Sequence, residues 1–103
     1  MEQLRVSAKS EPKAVAGAIA AIIRSGQTVE MNAIGAGAVN QAVKSICVAR
    51  GYLGPEGVDI ATLPTFVQLE VDGEERTSIC FEIRKTEKVD THAAVSGNET
   101  EPS

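Results

Sequence analysis

The chain has 103 residues and a formal net charge of −4, and 43% of its residues are hydrophobic although only Tyr52, Phe66 and Phe81 are aromatic. That length supports one core and excludes two full domains, and aliphatic and alanine side chains have to fill the interior. Up to Lys85, nine Lys and Arg stand against ten Asp and Glu, so the balance is near neutral and lacks the basic excess of an indiscriminate DNA binder.

Leu4, Val6 and Ala8 alternate with Arg5 and Ser7, the period of a half-buried first strand. Ser10-Glu11-Pro12 then offers a cap-type hydroxyl, an acid suited to a helix start and a proline tolerated in the first turn. From Pro12 to Ser25, Val15, Ile19, Ile22 and Ile23 recur at helical spacing among alanines, and Gly26 ends the helix as its C′ residue. Thr28 to Ile34 reads as the second strand, with Val29, Met31 and Ala33 on one face and Glu30 and Asn32 on the other.

The stretch from Ala33 to Gly51 is a strand end, a glycine turn at Gly35 and Gly37, and a helix opening from that turn. Such a pair has two readings: a tight turn that lets the helix pack on the sheet, which is its commoner use, or a place where phosphate approaches the helix N-terminus. A dinucleotide fingerprint is excluded, because Asn40 stands where a third glycine belongs and the turn follows the second strand rather than the first. The helix is expected from about Gly37 to Arg50, with Val39, Val43, Ile46 and Cys47 as its stripe and Gly51 as its stop. Its other side still carries Ala38, Ala42, Val48 and Ala49, which predicts cover on both sides, the second cover being another copy of the chain that meets Val48 and Ala49.

Gly54-Pro55-Glu56-Gly57 is a connector with turn chemistry. Val58, Ile60 and Thr62 begin a third strand that Pro64 interrupts and Val67, Leu69 and Val71 continue, so this strand belongs at an edge or carries a bulge. Asp72-Gly73 marks a hairpin, and Ile79, Phe81 and Ile83 alternate with Cys80, Glu82 and Arg84 in a fourth strand. The resulting fold class is α+β in two layers, ordered β-α-β-α-β-β, with a four-stranded mixed sheet and both helices on one face by the right-handed crossover rule. Residues 1–85 form the domain; residues 86–103 lack apolar periodicity and read as a disordered acidic tail.

No signal peptide or membrane helix is expected, which makes the cytoplasm the default location. Cys47 and Cys80 sit in apolar surroundings and read as reduced packing residues, and the single histidine, His92, lies in the tail. These residues predict no metal, no cofactor and no catalytic Ser-His-Asp or Cys-His set, hence no enzyme.

The runs Val6-Ser7-Ala8-Lys9-Ser10 with Pro12, Val15-Ala16-Gly17-Ala18, Ala33-Ile34-Gly35-Ala36-Gly37-Ala38, Asn40-Gln41-Ala42-Val43-Lys44, Ala49-Arg50-Gly51 and Asp72-Gly73-Glu74-Glu75-Arg76-Thr77 together resemble the stage V sporulation protein S family over roughly residues 3 to 85. The resemblance implies a regulator acting in spore development, present also in bacteria that form no spores, with an Alba-like fold. Alba proteins bind DNA and RNA as dimers through the loop before each helix and through a hairpin arm. Carried over, the nucleic-acid-binding residues would be Lys9, Ser10 and Lys13, then Gly35, Gly37, Asn40 and Gln41, then Arg76. The chain departs from the Alba pattern at Ala33, Gly35, Gly37 and Gln41, where those proteins commonly carry Lys or Arg. Fewer phosphate contacts imply weaker binding with a shallow salt dependence. The alternatives from other classes are a homo-oligomeric protein-interaction module that binds no nucleic acid, and a sensor for a small anionic ligand at the Gly35 to Asn40 turn.

Overall fold

The computed structural model describes residues 1–86. The chain runs β1 (Glu2–Val6), α1 (Pro12–Arg24), β2 (Val29–Ala33), α2 (Ala36–Leu53), a 3-10 turn (Gly54–Glu56), β3 (Ile60–Val71) and β4 (Glu74–Lys85). The strands form one mixed sheet in the order β1-β2-β4-β3, with β1 parallel to β2 and the other neighbours antiparallel. This is the two-layer α+β arrangement that the element order predicts. The expected acidic tail lies outside the described residues except for Thr86, whose backbone N–H donates to the Asp59 carbonyl at 2.9 Å.

β2 is the centre of the core. Val29, Met31 and Ala33 are fully buried and alternate with half-buried Glu30 and Asn32, the pattern of a strand with one covered face. Across the sheet the same face continues through Ile83, Phe81 and Ile79 of β4. Ile19, Ile23, Ala16 and Ala20 of α1 close over it with Ala38, Ala42, Ala49 and Leu53 of α2.

The two helices pack closely, and this changes the reading of α2. Its inner face is the small-residue side, Ala38, Ala42, Ser45 and Ala49, ending in Leu53. The expected stripe divides: Val39 and Ile46 are half-buried and pack against the margin of the core, while Val43 and Cys47 are exposed. A helix wedged against both a sheet and another helix needs small side chains where backbones approach, so bulk goes to the outside. Ala49 is fully buried in the chain's own core and offers no surface to a second copy, which corrects its assignment to a dimer interface; Val48 is half-buried. Ser45 sits in this apolar face without penalty because its hydroxyl donates to the Gln41 carbonyl one turn back at 2.7 Å.

Gly51 does not stop α2. A mid-helix glycine costs about 1 kcal/mol relative to alanine, whereas burying Leu53 is worth about 2 kcal/mol, so the helix runs on until Leu53 reaches the core. Gly57, with φ of 75°, then closes the 3-10 turn.

β3 passes through Pro64 with one-to-one pairing and no bulge. It is an edge strand, so Pro64 has its missing donor on the free side, where it interrupts the row of N–H groups that another strand would need. At the hairpin, Asp72 and Gly73 both take positive φ, 52° and 80°, the geometry that a two-residue turn between twisted strands favours.

Candidate nucleic-acid interface

Parallel pairing makes β1 and β2 finish at the same end of the molecule, at Val6 and Ala33. The loops that follow them therefore deliver the N-termini of α1 and α2 to that end. β4 pairs its Ile79 with Ala33, so everything from the hairpin turn to Ser78 overhangs the end of β2 on the same side. Lys9, Ser10 and Lys13, the Gly35 to Gln41 turn, and Arg76 are thus brought to one end.

The first loop is a turn locked by its own hydroxyls. The Ser10 N–H donates to the Ser7 carbonyl at 3.1 Å, the Ser7 N–H to Ser10 Oγ at 2.9 Å, and the Lys9 N–H to Ser7 Oγ at 3.1 Å. Ser10 is consequently spent on the turn and does not cap α1. Glu11 stands at the cap position without a side-chain bond to the helix, and Pro12 follows. Lys9 and Lys13 project outward and join no ion pair among the described residues.

The second loop ends at Gly35, whose φ of 93° and ψ of 156° place it in a backbone region open essentially to glycine alone. Gly35 has no side chain to cap the helix, so the first-turn amides of α2 also lack a side-chain partner. Gly37 has a different function. A Cβ there would stand 2.9 Å from Ala8 Cβ, so the space belongs to the chain's own first loop and not to a ligand. Gln41 joins in the same docking, its Nε2 donating to the Ser10 carbonyl at 2.9 Å. Ser10, Gly37 and Gln41 hold the two loops together, while Lys9, Lys13 and Asn40 are the exposed side chains that this scaffold presents.

Arg76 is placed at the same end but on the other face of the arm. It is an odd number of residues from Ile79 and so points away from the helices, and it lies about 10 Å of strand beyond Ala33. Its neighbours at the tip are Glu70, Asp72, Glu74 and Glu75.

Two features escaped the sequence reading. Lys44 shares a shallow groove of about 490 Å³ with Pro12, Lys13, Val43, Cys47 and Val48, formed where the start of α1 meets the outside of α2. Phe66 is 75% exposed, the most exposed of the large apolar side chains among the described residues. The outward turn of Val43 follows from the small-residue inner face of α2, and the signal for it was the run of alanines at helical spacing. Nothing in the alternation of β3 marks Phe66, because its exposure depends on where the helices stop covering the sheet.

The opposite end is built otherwise. Arg24, in the last turn of α1, grips Glu56 with Nε at 3.0 Å and Nη2 at 2.8 Å from the same carboxylate. Arg50 of α2 holds Asp59 with Nε–Oδ1 at 2.6 Å and Nη2–Oδ2 at 3.0 Å. These hydrogen bonds hold the Glu56 and Asp59 carboxyls below the usual carboxylate range. On the uncovered face of the sheet, burial pushes the Cys80 thiol up, with Glu30 and Glu82 adding to the effect. Among the described residues, no three His, Cys, Asp or Glu side chains gather as metal ligands would, and no helix is long and apolar enough to cross a membrane.

The sequence model of the family described as Stage V sporulation protein S (SpoVS) matches residues 2–86, which takes in both loops, the hairpin and the whole sheet. The chain belongs to that family, and with membership comes a role connected with sporulation.

Proposed function

We propose that this chain is a cytoplasmic regulator that binds DNA or RNA as a homo-oligomer, in the sporulation or developmental setting of its family, and that it is not an enzyme. One observation carries the reading: the start of α2, whose first amides have no side-chain cap, lies beside the Pro12 start of α1 and is flanked by Lys9 and Lys13, which have no acidic partner among the described residues. Backbone donors at a helix N-terminus and mobile ammonium groups are the donors that phosphate takes. With only a few cations involved, binding is weak and its salt slope shallow. Val43 and Cys47 on the outside of α2 supply the surface for a second copy, with Val48 at its margin.

The protein-interaction reading draws on the exposed Leu63 and Phe66 of β3, which a partner chain could cover. The small-anion reading would use the same uncapped start of α2, away from the flank of Gly37 that Ala8 fills. Fluorescence anisotropy of labelled duplex DNA and single-stranded RNA, repeated at several salt concentrations, tests the proposal. Affinity that falls with salt supports it; absence of binding to either at low salt leaves the interaction module. Sedimentation as a monomer at micromolar concentration would remove the oligomer.

A further inference from the structure

We infer that the nucleic acid taken at this end is single-stranded, with an unstacked base resting on Phe66, an inference that rests on the nucleic-acid reading above. Phe66 pairs with Ile79, which on its other side pairs with Ala33, so the three form one row across the sheet. Residues in one row share a face, and this row faces the helices. Phe66 therefore stands two strand spacings, about 10 Å, from the residue that leads into the Gly35 turn. A ring 75% exposed there leaves most of its apolar surface in water, and a base stacked on it would take that surface out of water.

The neighbours of Phe66 narrow the choice of ligand. Next along the same face, Gln68 and Thr77 are paired, with Gln68 Nε2 donating to Thr77 Oγ1 at 3.1 Å, and so set an amide and a hydroxyl beside the ring. Beyond them the tip carries Glu70, Asp72, Glu74 and Glu75 against the single Arg76. That acidic tip keeps phosphate of either strand form away from the end of the arm, but a duplex also holds its base faces stacked inside, so an exposed ring has nothing to stack on. A single strand can keep its phosphates at Lys9, Lys13 and the helix starts while turning one base toward Phe66. Stacking on an aromatic side chain tolerates any base, so the preference is for strandedness and not for sequence.

The test compares an oligothymidine of about 20 nucleotides with a duplex of the same length, using the full chain. Phe66→Ala should weaken binding of the single strand roughly tenfold and leave duplex binding unchanged, since the side chain is solvent-exposed and its loss spares the core. The chain contains no tryptophan, so Phe66→Trp installs the only indole. It should retain binding, and its fluorescence should be quenched by the single strand and not by the duplex. Equal affinity of Phe66→Ala and the parent for the single strand overturns the inference, as does a parent that binds only duplex, and in both cases the nucleic-acid reading stands. An indole emission already blue-shifted in the free protein, and dependent on its concentration, shows a second copy covering the ring and also overturns it. A parent that binds neither strand form removes both readings together.

Discussion

The two ends of this molecule treat charge in opposite ways. At the end where the helices finish, Arg24 and Arg50 each close on a carboxylate through two nitrogens, and Thr86 is tied to Asp59. At the end where they start, neither helix has a side-chain cap, Lys9 and Lys13 stand unpaired among the described residues, and the contacts that hold the loops are neutral. Paired charge fixes the connections between elements, whereas unpaired charge beside free backbone donors is what a site for an anion needs. The loops of the open end are nonetheless joined, because Gly37 lies against Ala8 and Gln41 bonds to Ser10 without using up a cation.

Two glycines of α2 put that contrast to the largest test. Gly37→Val would drive side-chain carbons into Ala8, since even a Cβ would be 2.9 Å away, and overpacking of this kind costs about 2 kcal/mol or more. The melting temperature should fall on the order of 10 °C by circular dichroism. Gly51 lies in the same helix near the other end, and a Cβ there meets nothing within 4 Å. Gly51→Ala should accordingly gain about 0.5–1 kcal/mol of helix propensity and raise the melting temperature by about 4 °C. If Gly37→Val melts like the parent, the loops are not held as described, and any loss of binding in that variant would have to come from a ligand.

The same two glycines show what could be read in advance. The elements were legible because their signals are local: alternation in β2, Gly26 after α1, Asp72-Gly73 between β3 and β4. The facing of α2 was not, because Val39, Val43, Ile46 and Cys47 outweigh Ala38, Ala42 and Ala49 on any hydrophobic scale, and only the packing of two helices over one sheet puts the alanines inside. Gly37 was legible as a residue that permits close approach, but its partner Ala8 lies in a different loop. The Arg24–Glu56 clamp joins residues 32 apart, a separation at which no periodicity operates. The cluster at the open end was anticipated through family resemblance, and the structure divides it into residues that build the loops and residues left exposed.

Removing the exposed cations should spare the fold and change only binding. Lys9→Ala and Lys13→Ala each delete an unpaired surface ammonium, so their melting temperatures should stay within about 2 °C of the parent. Each should weaken binding of all sequences alike and reduce the slope of log affinity against log salt by about one unit. Gln41→Ala provides the contrast within the same end: it breaks the bond to the Ser10 carbonyl and should lower the melting temperature while leaving the salt slope unchanged. A changed salt slope in Gln41→Ala would place that side chain on phosphate instead.

The smallest effect belongs to the clamped end, and it carries a sign. Arg50 holds the Asp59 carboxyl below its ordinary range, chiefly through their hydrogen bonds. A carboxyl depressed in the folded state binds fewer protons there than in the unfolded chain, so its contribution is present at neutral pH, above the ordinary carboxylate range. It is lost as pH falls through that range and through the lower folded value. The Arg50 and Asp59 side chains are 63% and 37% exposed, so screening by water keeps the gain small. Asp59→Asn should lower the melting temperature at pH 7 by about 2 °C or less, and the difference from the parent should shrink on acidification as the parent loses its own carboxylate. Nucleic-acid affinity and its salt slope should not move, because the clamp lies at the far end of both helices from Lys9 and Lys13. A stability difference that persists undiminished in acid would show that the ionised Asp59 carboxylate is not what stabilises this end.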